Sequence, residues 1–99
     1  MSQEFLSVAI WQPLPGMEAA SVATIREISQ LIASRNYGHD VLYLGADSHY
    51  ILLRCWNSRE AQQTAMEDPE LLRRWAKLGN EIRTLKVFEK VESVDVEGG

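Results

Sequence analysis

His49-Tyr-Ile-Leu-Leu-Arg-Cys-Trp-Asn-Ser-Arg-Glu-Ala61 begins as a strand and ends as the start of a helix. With side chains alternating along the strand part, Ile51, Leu53 and Cys55 fall on one face and Tyr50, Leu52, Arg54 and Trp56 on the other. Both faces carry apolar bulk. A sheet built around such a strand needs cover on both sides.

The flanking segments place this strand third of four. Phe5 to Gln12 is rich in β-formers and stops at Pro13-Leu-Pro-Gly16. Its Leu6, Val8 and Ile10 share one face, and Phe5, Ser7, Ala9 and Trp11 the other. Glu18 to Ser34 carries Val22, Ile25, Ile28, Leu31 and Ile32 at helical spacing, with Glu18 near the start and Arg35 near the end, both favourable to the helix dipole. Asn36-Tyr-Gly38 ends that helix, Gly38 being free to turn left-handed. His39 to Leu44 reads as the second strand, and Gly45-Ala-Asp-Ser48 as a four-residue hairpin turn into the third. Asn57-Ser-Arg-Glu60 has the spacing of a capping box with Asn57 as cap. Asp68-Pro69 interrupts the following helix, since proline fits a first helical turn and not an interior one. The second helix is therefore expected in two parts, the latter striped with Leu71, Leu72, Trp75 and Leu78 and closed by Gly79-Asn80. Leu85 to Val91 is the last strand, and residues 93–99 read as a frayed tail.

The order β-α-β-β-α-β predicts an α+β, ferredoxin-like fold: a four-stranded antiparallel sheet with both helices on one face. Residues 1–99 make a single domain. The aliphatic rows (Leu6, Val8, Ile10; Leu42, Leu44; Ile51, Leu53, Cys55; Leu85, Val87) are expected beneath the helices. Phe5, Trp11, Val41, Tyr43, Tyr50, Leu52, Trp56 and Phe88 are then left on the open face. Each aromatic side chain buries about 150–250 Å² when covered, so three or four of them together exceed the few hundred Å² that a monomer usually leaves bare. A homodimer joined through the open sheet face is the simplest solution.

Composition narrows the function classes. A hydrophobic share of 45% with 24% charged residues is that of an ordinary globular domain. The net charge of −4 argues against nucleic acid and against an anionic membrane surface, both of which are bound through Lys and Arg. RNA-recognition motifs share the element order, but their third strand carries a basic Gly-aromatic signature that is missing here. No basic leader and no run of about 18 apolar residues is present, so neither secretion nor a membrane span is expected, and the setting expected is cytoplasmic. A lone cysteine, Cys55, excludes an intramolecular disulfide and reads as a small buried hydrophobe.

Polar groups expected on the open face are Ser7, His39, Tyr43, Tyr50, Arg54, Thr84 and Lys86. Arg54, mid-strand between Leu52 and Trp56, reads either as a paired interface arginine or as a cation that orients an anionic or phenolic ligand. Trp11 and Trp56 are candidate pocket walls, and Tyr43 and Tyr50 candidate hydroxyl partners. His39 and His49 fall on opposite faces by alternation, and no His-x-His or Cys-x-x-Cys pair exists, so no metal site is expected. Cys55 has the wrong parity to meet a histidine on the open face, so no nucleophile–base pair is expected.

Trp56-Asn-Ser-Arg-Glu-Ala61, followed by Pro69-Glu-Leu71 and a short amphipathic helix, resembles the antibiotic biosynthesis monooxygenase-like family. Members of this family typically end their third strand in Trp-x-Ser-x-Glu-Ala. The resemblance implies a dimeric α+β barrel with a cavity in each subunit. There, enzymatic members hold a small aromatic or quinol-like compound that reacts with dioxygen, often without metal or flavin, and no cofactor is expected here. Many members carry a histidine nine residues after the junction tryptophan, where this chain has Ala65. The haem-degrading branch has tryptophan there, a histidine ten residues on and an asparagine on the first strand; this chain has Ala65, Trp75 and, approximately, Ser7. Two functions follow: a cofactor-independent monooxygenase-like activity using Trp11, Tyr43, Tyr50, Arg54 and Trp56, or a non-catalytic ligand-binding or structural homodimer of the same fold.

Overall fold

A computed structural model describes residues 5–97. Strand β1 (Phe5–Pro13) leads into helix α1 (Glu18–Ser34), and strand β2 (Gly38–Leu44) passes through a 3-10 turn (Ala46–Ser48) into β3 (Tyr50–Trp56). Two helices, α2 (Arg59–Ala65) and α3 (Pro69–Gly79), precede β4 (Ile82–Val91). The sheet is antiparallel throughout, in the order β2-β3-β1-β4. This is the expected βαββαβ plan, with the second helix split at Asp68-Pro69.

Local chemistry explains the breaks. The Asp68 carboxylate accepts the Glu70 backbone N–H at 3.0 Å while Pro69 fills the first turn of α3, where no N–H is needed. The cap of α2 falls one residue later than its sequence suggests. Ser58 accepts the Ala61 N–H at 2.9 Å, and the Asn57 amide donates to the Asn36 carbonyl and side chain, tying the loop after α1 to the end of β3. After α1 it is Asn36 that turns left-handed, at φ 60°, and not Gly38. Gly38 is required for another reason: a Cβ there would lie 2.2 Å from the Cys55 carbonyl oxygen.

The core reverses two of the expected rows. Trp11, Tyr50, Leu52 and Trp56 lie beneath the helices, packed with Ile25, Ile28, Ile32, Leu71 and Leu78. Phe5, Ala9 and Leu42 join them at the margins. Leu6, Val8 and Ile10, paired with Cys55, Leu53 and Ile51, therefore occupy the open face. Val41, Tyr43 and Phe88 stay there as expected, at 43%, 52% and 44% exposure.

The reversal has a local cause. The link between β2 and β3 holds five residues and not four, because Asp47 and Ser48 both turn left-handed (φ 58° and 59°) and His49 joins the turn. Leu44 then pairs with Tyr50 and Val41 with Leu53. A one-residue change of register exchanges the faces of a strand. The same shift sets His39 directly across from Cys55, so these two share the open face, contrary to the parity expected for them.

With helices on one side only, the molecule is thin, 47 × 32 × 17 Å. Its radius of gyration, 14.2 Å, exceeds the roughly 12.6 Å of a compact domain of this length. No helix among the described residues is long and apolar enough to cross a membrane.

Candidate ligand cavity

The inner rows of β1 and β3 change character along their length. At one end Trp11 stacks on its cross-strand neighbour Tyr50, ring centroids 4.6 Å apart and planes 13° from parallel. Here α1 and α3 close the core, and Trp11 is 1% exposed. At the other end the pairs are Ser7 with Arg54 and Phe5 with Trp56, and the cover passes to α2. This helix has only seven residues and leaves a gap over the sheet. The gap is a cavity of about 150 Å³ with Ser7, Ala9, Leu52, Arg54 and Trp56 at its floor, Gln62 and Met66 from α2 above, and Val87 and Glu89 of β4 at its side.

The polar groups of the floor are held in place. The Trp56 indole N–H donates to Ser7 Oγ at 3.0 Å, and Ser7 in turn donates to the Glu89 carbonyl. Arg54 Nε and Nη2 donate to the two oxygens of Asp40 on β2, at 2.7 and 2.8 Å, and Ser29 of α1 donates to Asp40 at 2.6 Å. Both ion-pair side chains are buried, 10% and 2% exposed. The guanidinium carbon also lies 5.5 Å from the ring centre of Trp56 and 5.9 Å from that of Trp75 on α3, so two aromatic faces support the cation. Arg54 lines the cavity, and among the described residues its Nη1 makes no hydrogen bond.

Of the five residues expected at a ligand site, the structure brings together Arg54 and Trp56. Trp11 and Tyr50 lie in the closed end of the core, four residues or about 13 Å along the strands. Tyr43 is on the opposite face. Sequence reading missed Asp40, Ser29, Gln62, Met66, Glu89 and the role of Trp75. Asp40 was within reach: a five-residue link between β2 and β3 sets it directly across from Arg54. The α2 residues carry no sequence signal beyond their helical spacing. Among the described residues no cluster of three metal-ligating side chains occurs.

Outside the cavity, a second polar cluster locks α1 to α3. Arg35 pairs with Asp68 and, at 2.6 Å, with Glu70, while the Tyr37 hydroxyl donates to Asp68 at 2.9 Å. The Arg35 bond pushes the Asp68 carboxyl down to about 2, assisted by Tyr37 and the Glu70 N–H. The same guanidinium lowers Glu70, and Asp68 raises the Tyr37 phenol.

No family model and no curated protein matches the chain. Solved structures do. Rv0793 from Mycobacterium tuberculosis is 18% identical and superposes with a TM-score of 0.73 over 94% of this chain and 100% of its own. SnoaB, a cofactor-independent oxygenase from Streptomyces nogalater, is 17% identical with a TM-score of 0.75 over 94% and 98%. A candidate antibiotic biosynthesis monooxygenase from Chloroflexus aurantiacus is 15% identical with a TM-score of 0.71 over 95% and 99%. The fold is thus the one found in antibiotic biosynthesis monooxygenase-like proteins.

Proposed function

We propose that this chain is a cofactor-independent monooxygenase-like protein acting on a small aromatic or quinol-like compound in the cavity beneath α2. The observation that carries the reading is a cavity walled by Trp56, Leu52, Val87 and Met66 and lined also by Arg54, whose Nη1 makes no hydrogen bond among the described residues. An apolar cavity of about 150 Å³ accommodates one benzene-sized ring. An oxygen substituent at the inner end of that ring meets Nη1. Negative charge developing on that oxygen during reaction with dioxygen is stabilised by a donor already fixed in place by Asp40 and two tryptophans. Without a redox cofactor the electrons come from the substrate, which must therefore be electron-rich, as a quinol is. The likeness to SnoaB supports the same reading.

The protein works as a homodimer through the open sheet face. That face carries Leu6, Val8, Ile10, Ile51 and Leu53 with the exposed Val41, Tyr43 and Phe88, a contiguous apolar surface that a second copy would cover.

Oxygen uptake over a panel of hydroquinones tests the activity. Consumption above the autoxidation rate is expected, falling at least tenfold in Arg54→Gln. A second reading, a non-catalytic ligand binder, is favoured by Ala65, which is fully buried in the core where a proton-transfer group from the helix would otherwise stand. Ligand binding without oxygen uptake for any hydroquinone would decide for that reading. Absence of binding would sink both.

A further inference from the structure

We propose that the cavity selects its ligand by charge, admitting uncharged or positively charged aromatics and turning away anions, with Asp40 as the residue that sets this selection. The proposal rests on the reading of the cavity as the ligand site. An unpaired buried arginine would invite the opposite ligand, because its planar fork matches a carboxylate or phosphate with two parallel bonds. Here the Nε/Nη2 edge is taken and the charge is matched. Nε and Nη2 are spent on Asp40, which is 2% exposed at its side chain and held from behind by Ser29. Arg54, which lines the cavity, brings to it a charge already balanced. A carbonyl or a neutral phenol oxygen satisfies the remaining Nη1/Nη2 edge. A carboxylate bonded to that edge would sit beside a guanidinium whose charge Asp40 already balances, with no net positive charge to offset its own.

The approach to the cavity adds a second, independent argument. The cavity opens onto a wide depression along α2, the two sharing Gln62, Met66 and Glu89. Glu60, Glu67 and Glu89 line that depression and, among the described residues, no Lys or Arg does. Among the described residues Arg54 is the one basic residue lining either space. An anion must pass three carboxylates to reach a guanidinium that a fourth has neutralised. A cation meets the reverse gradient, and at the inner end the Trp56 ring can take part in binding it. A substituent longer than one ring projects among the three glutamates, so a positively charged tail is favoured there.

Three single-ring probes of matched shape test this on the full-length protein at pH 7: benzamide, benzylamine and benzoate, their dissociation constants measured by titration calorimetry. Benzamide and benzylamine are expected to bind at least tenfold more tightly than benzoate. In D40N, the charge of Arg54 is no longer balanced, and the benzamide-to-benzoate ratio is expected to shift toward benzoate by at least tenfold. A structural effect of the substitution alone would weaken all three probes together and leave the ratio in place. Should D40N fail to fold, the double variant Glu60→Gln/Glu67→Gln, both exposed positions, is expected to narrow the ratio at least threefold at low salt and to lose that effect at high salt. Benzoate binding the wild type as tightly as benzamide, or a ratio unmoved in every folded variant, overturns the charge selection while the ligand site stands. Failure of all three probes to bind the wild type overturns the ligand site, and the selection with it.

Discussion

The Arg54 guanidinium is clamped by the Asp40 carboxylate of the neighbouring strand, with Nε to Oδ1 at 2.7 Å and Nη2 to Oδ2 at 2.8 Å. The pair is buried between helix and sheet, and removal of either partner strands the other. Asp40→Ala is expected to lower unfolding free energy by about 3–5 kcal/mol. The double variant Asp40→Leu/Arg54→Met, which removes both charges, is expected to recover most of that loss. Urea unfolding of the singles and the double decides it. Additive losses in the double would mean that the pair is not the unit of stability.

Gly38 and Gly79 separate two uses of glycine. A methyl at position 38 would meet the Cys55 carbonyl oxygen at 2.2 Å, and a backbone oxygen paired in a sheet has nowhere to go. Gly38→Ala is expected to cost about 4 kcal/mol, at the upper end for one substitution. A methyl at position 79, on the last residue of α3, meets nothing within 4 Å, and its φ is not positive. Gly79→Ala is expected to stabilise by about 0.5 kcal/mol through the entropy of the unfolded chain. Midpoints of thermal or urea unfolding measure both.

Acid should unlock α1 from α3. Asp68 has its folded pKa depressed to about 2 from 3.8, so its charge stabilises the fold fully above pH 4. That contribution is lost progressively as pH falls from about 4 toward 2. The Tyr37 phenol is shifted the other way, so its contribution is complete below its ordinary pKa near 10 and is lost as pH rises through the raised value. Asp68→Asn is expected to flatten the acid limb of the stability profile. An unchanged acid limb in this variant would place the acid sensitivity elsewhere.

The open face should hold two copies together. Leu53 sits at its middle, between Val8 on one side and Val41 on the other. Light scattering at micromolar concentration is expected to give twice the 11.2 kDa chain mass for the wild type and the single chain mass for Leu53→Glu. A monomeric wild type would contradict the assembly. A dimer that persists in Leu53→Glu would place the interface on another surface.

The element order, the break at Asp68-Pro69 and the plan of the sheet were legible because each rests on local chemistry. β-branched runs, caps and a proline act within a few residues of themselves. Arg54 and Trp56 were legible for a related reason, since a charge and an indole between apolar neighbours on one strand stand out in any register. The rest of the site was not. Ser7, Asp40, Gln62 and Glu89 are ordinary polar residues, and only their convergence gives them meaning.

What the sequence determined by itself was which residues share a face of each strand. It did not determine which faces of neighbouring strands coincide. That relation passes through Asp47 and Ser48, whose left-handed backbone adds a residue to the turn and moves the register of β2 against β3 by one. Tertiary structure decided that the aromatic row of β3 faces the helices and the aliphatic row faces outward. The inner core has room for two large rings, Trp11 and Tyr50, stacked beneath α1 and α3, while the seven-residue α2 leaves a cavity beside the buried Arg54 and Trp56.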